Sequence, residues 1–128
     1  MSRRNHPFEH VLIVEDDVDV GPLLRELLEE EGYRTSLVRS VADAHARLAT
    51  DEIDIVLCDL LLPDGNAAQR LRSEAPCLFM AGHPVEIRRL SDDGAHYLAK
   101  PFTRDQLLTA IRDCLDRGKC SKPPRVAV

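Results

Sequence analysis

Short apolar runs alternate with helix-period segments along most of this chain, and that alternation leaves few folds open to it. Val11-Leu12-Ile13-Val14 is wholly apolar and rich in β-branched residues, as a strand buried on both faces must be. Leu23, Leu24, Leu27 and Leu28 recur at helical spacing and stop near Gly32, a helix end. Tyr33 to Val38 reads as a second strand. Ser40-Val41-Ala42-Asp43 resembles a capping box with Asp in place of Glu, and opens a helix through Leu48. Ile53 to Cys58 is a third strand, Pro63-Asp64-Gly65 a turn, and Asn66 to Glu74 a weak helix. Cys77 to Met80 is a fourth strand, Pro84 to Leu90 a short helix, and Tyr97-Leu98 part of a fifth strand. Thr103 to Gln106 is a second capping box, opening a helix whose apolar stripe is Leu107, Leu108, Ile111 and Leu115. Five strands alternating with five helices predict parallel βαβ units with helices on both sheet faces.

The 128 residues fit one domain, predicted over residues 9 to 117, with a flexible N-terminus (1 to 8) and a flexible C-terminal tail (118 to 128). The core must be aliphatic, because aromatics are 4% of the chain and Trp is absent. A net charge of −5 argues against a general nucleic-acid binder, and no apolar run approaches the length of a membrane span. After Met1-Ser2-Arg3-Arg4, the run Val11 to Val14 is too short for a secretory signal. Cys58, Cys77, Cys114 and Cys120 lack the spacing of a zinc or redox motif. They read as free thiols in a reducing cytoplasm, with Cys58 and Cys77 in the core.

In a doubly wound sheet, ligands gather at the carboxyl ends of the strands where the strand order reverses. Glu15-Asp16-Asp17 follows the first strand and Asp59 the third, which are neighbours in a flavodoxin-like order 2-1-3-4-5. Clustered carboxylates raise each other's pKa unless a cation is present, and hard oxygens suit Mg²⁺ (or Mn²⁺). Lys100 lies at a third strand end and supplies a point charge for the acids or for an anion. An exposed Asp, further acids, a divalent ion and one Lys describe a phosphoryl acceptor. Each part also has a simpler reading. The acids could be a solvated helix N-terminus, Asp59 a turn cap and Lys100 a surface lysine. His83 beside the site reads as a surface loop residue, and Lys119, Lys122 and Arg125 as a solvated terminus.

Three segments resemble the receiver domain of two-component response regulators: Val11 to Asp17, Asp59-Leu60-Leu61-Leu62-Pro63-Asp64-Gly65, and Tyr97-Leu98-Ala99-Lys100-Pro101-Phe102. The resemblance covers residues 9 to 117. It implies that Asp59 is the phosphoacceptor. It also implies that Asp16, Asp59 and the Leu61 backbone carbonyl ligate Mg²⁺, with Glu15 reaching it through water. Lys100 would contact the phosphoryl group, Tyr97 would be the switch aromatic, and the Lys100-Pro101 bond would be cis. The implied donor is a sensor histidine kinase or a histidine phosphotransfer protein of a bacterial phosphorelay. The chain is then a cytoplasmic signalling phosphoacceptor and not an enzyme, beyond self-phosphotransfer and autodephosphorylation. With about 110 residues assigned to the receiver, the expectation is a stand-alone regulator. Its output would pass to a protein partner at the face of the fourth helix, fifth strand and last helix.

The chain departs from that family in three places. Ala81 stands where the family has Thr or Ser, so the hydroxyl that would bond the phosphoryl group is lost. Ala67 replaces a frequent Gly. Short spacings from Asp59 to Ala81 and from Ala81 to Lys100 predict shortened third and fourth helices. The alternative reading is therefore a degenerate receiver, a protein-interaction module that works without phosphorylation. An aspartyl-phosphate phosphatase needs a second Asp at position 61, which is Leu61. Nucleotide binding needs a Gly-rich phosphate loop that is absent.

Overall fold

The computed structural model describes residues 9–82 and 96–117. Its elements are β1 (His10–Val14), α1 (Val20–Glu30), β2 (Arg34–Val38), α2 (Val41–Thr50) and β3 (Ile55–Asp59). A small hairpin follows, β4 (Leu61–Leu62) and β5 (Gly65–Asn66), then α3 (Ala67–Arg70), β6 (Cys77–Ala81), β7 (His96–Ala99) and α4 (Arg104–Arg117). The five long strands form one parallel sheet of order β2-β1-β3-β6-β7, so the predicted order holds, with β6 and β7 as its fourth and fifth strands.

The apolar runs split by alternation into two cores. Leu12, Val14, Val56, Cys58 and Phe79 face one side, against Val41 and Ala44 of α2. Val11, Ile13, Ile55, Leu57, Leu78 and Met80 face the other, against Leu24 and Leu28 of α1 and Leu107, Ile111 and Cys114 of α4. Side chains alternate along a strand, so one continuous apolar run supplies both faces.

The helix ends follow local rules. The Ser40 Oγ accepts from the Asp43 N–H at 3.1 Å. The Thr103–Gln106 box closes in both directions: Gln106 Oε1 accepts from Thr103 N–H at 2.9 Å, and Thr103 Oγ1 from Gln106 N–H at 3.0 Å. At the end of α1, Gly32 N–H donates to the Glu29 carbonyl and Tyr33 N–H to the Leu28 carbonyl. This is the Schellman pattern, and Gly32 takes the positive φ, 96°, that it requires.

Three expectations need adjusting. The weak helix predicted over Asn66 to Glu74 is only α3, four residues long, with Leu71 buried just beyond it. The predicted turn is the tip of the β4–β5 hairpin, which pairs Leu61 with Asn66 and Leu62 with Gly65. Cys77 is only partly buried, whereas Cys114 is in the core beside α4's predicted stripe. The terminal tails, the helix from Pro84 to Leu90, His83 and Cys120 lie outside the described residues. Among the described residues, no helix is long and apolar enough to cross a membrane.

Candidate functional site

Register builds the site. Val14 pairs with Cys58, so the next residues, Glu15 and Asp59, leave the sheet side by side. Asp59 in turn pairs with Met80, and Ala81 pairs with Ala99, which brings Lys100 to the same rim. The Lys100 N–H donates to the Ala81 carbonyl at 2.8 Å, so the chain stays in sheet geometry up to the lysine. The following Lys100–Pro101 bond is cis.

Glu15, Asp16 and Asp59 can each offer one carboxylate oxygen, all within 4.8 Å of one another. Lys100 Nζ donates to Asp59 Oδ1 at 3.0 Å, with the Asp59 side chain 16% exposed and that of Lys100 34%. Three carboxylates therefore face one ammonium, and the residual negative charge invites a cation. Glu15 is buried. Its Oε2 accepts the Asp17 N–H at 3.2 Å, while its buried Oε1 has no hydrogen-bond partner among the described residues. Burial raises the Glu15 pKa most; the Asp17 N–H opposes that, and the Asp59 charge adds to it. A buried carboxylate oxygen without a donor, among hard oxygen ligands, fits a divalent ion such as Mg²⁺.

Asp17 does something else. Its Oδ1 accepts the N–H groups of Asp19 at 2.8 Å and Val20 at 3.0 Å, bonds that hold its pKa below the ordinary range. The helix-terminus reading thus describes Asp17, while Glu15 and Asp16 turn to Asp59. Ala81 is fully buried at the end of β6, presenting a methyl on the rim beside Lys100. Tyr97 packs its ring on Phe79, with centroids 5.8 Å apart, against the core that contains Ala81. Leu61 lies two residues past Asp59, at the start of the hairpin, with its side chain exposed.

One group escapes local sequence reading. The carboxylate of Asp64, at the hairpin tip, accepts the N–H groups of Val41 at 3.0 Å and Ala42 at 3.1 Å. It shares the capping of α2 with Ser40 from 23 residues away, and its local signal was only that of a turn.

A family model described as the response regulator receiver domain matches residues 11–112. The swarming motility regulation protein RssB of Serratia marcescens is 32% identical over 112 residues, 80% of this chain and 51% of that protein. The transcriptional regulatory protein CpxR of Escherichia coli is 31% identical over 123 residues, 88% of this chain and 51% of that protein. The chain thus spans about half the length of these curated relatives. Among solved structures, the non-phosphorylated receiver domain of HemR from Leptospira biflexa is similar, with a TM-score of 0.71 at 28% identity. That likeness covers 84% of this chain and 94% of the HemR domain. A CheY-like receiver from Methanospirillum hungatei gives a TM-score of 0.74 at 25% identity, over 86% of this chain and 95% of that one.

Proposed function

This chain belongs to the response regulator receiver family of bacterial two-component systems, and from that premise we propose that Asp59 accepts a phosphoryl group from a histidine kinase or histidine phosphotransfer protein. The observation that carries the reading is the Lys100–Asp59 contact of 3.0 Å at the edge of the Glu15, Asp16 and Asp59 cluster. A carboxylate oxygen of Asp59 attacks phosphorus, an Asp59 O–P bond forms, and the P–N bond of the donor phosphohistidine breaks to free the imidazole. Lys100 turns its ammonium from Asp59 to an oxygen of the transferred group, a charge-assisted bond. Asp16, Asp59 and the Leu61 carbonyl would hold Mg²⁺ directly, and Glu15 through water. When bound, the ion offsets charge on the phosphoryl oxygens. Receiver domains are signalling modules, and the product here is a modified Asp59 rather than a released compound.

Two components of the reading concern partners. The docking face for an output protein is read at β7 and α4, the fourth helix expected there lying outside the described residues, and the compartment is the cytoplasm, where kinase donors act. Output through a protein partner belongs to the same proposal.

Ala81 favours a second reading. Its methyl cannot donate to the phosphoryl group, and a hydrogen bond to a charged group is worth about 1.5–3 kcal/mol. That is comparable to the usual size of an allosteric coupling, about 1–3 kcal/mol. A receiver that is phosphorylated but weakly switched, or read by its partner without phosphorylation, follows from that loss. Incubation with Mg²⁺ and acetyl phosphate separates the readings. The first expects an intact-mass gain of one phosphoryl group that disappears in Asp59→Asn. No gain from acetyl phosphate, phosphoramidate or a phosphohistidine donor rejects it. Equal partner affinity for wild type and Asp59→Asn, with and without donor, selects the second.

A further inference from the structure

We infer that Asp64 is a positioning residue for the divalent-cation site: its carboxylate moors the loop after Asp59 to the first turn of α2. The inference rests on the cation site read above. The loop has two anchors. At its base, Leu60 N–H donates to the Met80 carbonyl at 2.9 Å, and Ala67 N–H to the Leu60 carbonyl at 2.8 Å. At its tip, both Asp64 oxygens accept from α2, from Val41 N–H and Ala42 N–H. Leu61, whose carbonyl would be a metal ligand, lies between these anchors in the hairpin.

The end of β2 and the residue after it, which lead into α2, hold the acidic loop. The Val38 carbonyl accepts the Glu15 N–H at 3.0 Å, and Arg39 Nη2 donates to the Asp16 carbonyl at 3.1 Å. Val38 and Arg39 thus touch the acidic loop, and Val41 and Ala42 the hairpin tip, while among the described residues Ser40 between them bonds only within α2. The spacing between those loops is set through this β2–α2 connection, and Asp64 is the hairpin tip's bond to it. Gly65 keeps the tip tight: its φ is +128°, and a Cβ there would lie 2.5 Å from Arg70 Cδ. Donation by Val41 N–H holds the Asp64 carboxyl below the ordinary range, so the mooring stays ionised at neutral pH.

Ser40 supplies the control. It caps the same helix through Asp43 N–H, a bond that does not involve the hairpin. Ser40→Ala and Asp64→Ala both uncap α2, and only Asp64→Ala releases the hairpin tip. The experiment titrates Mn²⁺ into wild type and the variants, reading free Mn²⁺ by paramagnetic resonance, alongside thermal melting. Partners that orient metal ligands typically change affinity by 10–100-fold. Asp64→Ala is expected to weaken Mn²⁺ binding about tenfold, the low end of that range, with Ser40→Ala near wild type and both melting lower. Asp64→Asn, which keeps one acceptor oxygen, is expected in between and serves if Asp64→Ala does not fold. Equal Mn²⁺ affinity in wild type and the Asp64 variants overturns the inference and leaves the cation site standing. Equal weakening in Ser40→Ala also overturns it, because the effect is then only that of an uncapped helix. No Mn²⁺ binding by wild type overturns the cation site itself, and this inference with it.

Discussion

Asp59 owes its chemistry to its neighbours. It is partly exposed, touches the Lys100 ammonium and shares the rim with two more carboxylates, one of them buried with an oxygen lacking a donor. A divalent ion that binds only the folded chain adds RT ln(1 + [L]/Kd), about 2.7 kcal/mol at a hundredfold excess over Kd. Saturating Mg²⁺ is therefore expected to raise the melting temperature of wild type. In Asp59→Asn the rise should be clearly smaller, and an equal rise in both would place the ion elsewhere. The thiols give a second prediction at this scale. Burial pushes the Cys58 thiol far up and the Cys114 thiol up to about 12, so neither is a thiolate at neutral pH. In the folded protein both are expected to stay unlabelled by iodoacetamide and to react once urea is added. Rapid native labelling of either, read by peptide mass, would contradict that burial.

At the scale of elements, helix ends add a smaller share of stability to that of the packed faces. The Schellman turn at Gly32 needs a positive φ that costs other residues about 1–2 kcal/mol. Gly32→Ala is expected to lower unfolding free energy by about 1 kcal/mol in urea titration, with no change in Mn²⁺ affinity. A neutral outcome would mean that the turn relaxes. The elements most readable from sequence were those whose signals are local. The strand runs Val11 to Val14 and Val56 to Cys58, the Thr103–Gln106 box and the Gly32 stop all act within a few residues. The β4–β5 hairpin and the Asp64 cap were not readable, because Asp64 meets Val41 only after β3 has been laid beside β1. Cys114 was missed because it lies beside the larger Leu and Ile of the stripe. The site was readable where it follows from strand ends. Glu15, Asp16, Asp59 and Lys100 converge because a parallel sheet of this order aligns their strands. The division of labour inside Glu15-Asp16-Asp17 depends on backbone turns that no spacing rule reports.

Across the whole molecule, the acidic rim lies at the carboxyl end of the sheet and a buried histidine at the other. His10 begins β1, and its Nε2 lies 2.8 Å from Ser36 Oγ on β2. Burial lowers its pKa most, and Arg34 adds to that, while Asp51 and Asp54 oppose it. The unfolded chain therefore takes up a proton at this position before the folded chain does, so the contribution of His10 to stability is present above its ordinary value, about 6.5, and is lost as pH falls below it. The stability of wild type is expected to fall more steeply than that of His10→Gln between about pH 7 and pH 5.5, measured by urea midpoints. Parallel profiles would show that His10 titrates alike in both states. That dependence sits apart from the rim, where the account stands or falls on one carboxylate. The direct measurement is borohydride reduction of protein treated with Mg²⁺ and phosphoramidate, followed by peptide mass mapping. An acyl phosphate is reduced to an alcohol, so phosphorylation at Asp59 predicts homoserine at position 59, and none when donor is omitted. Homoserine at another carboxylate, or at none, would contradict the assignment of Asp59 as the phosphoacceptor.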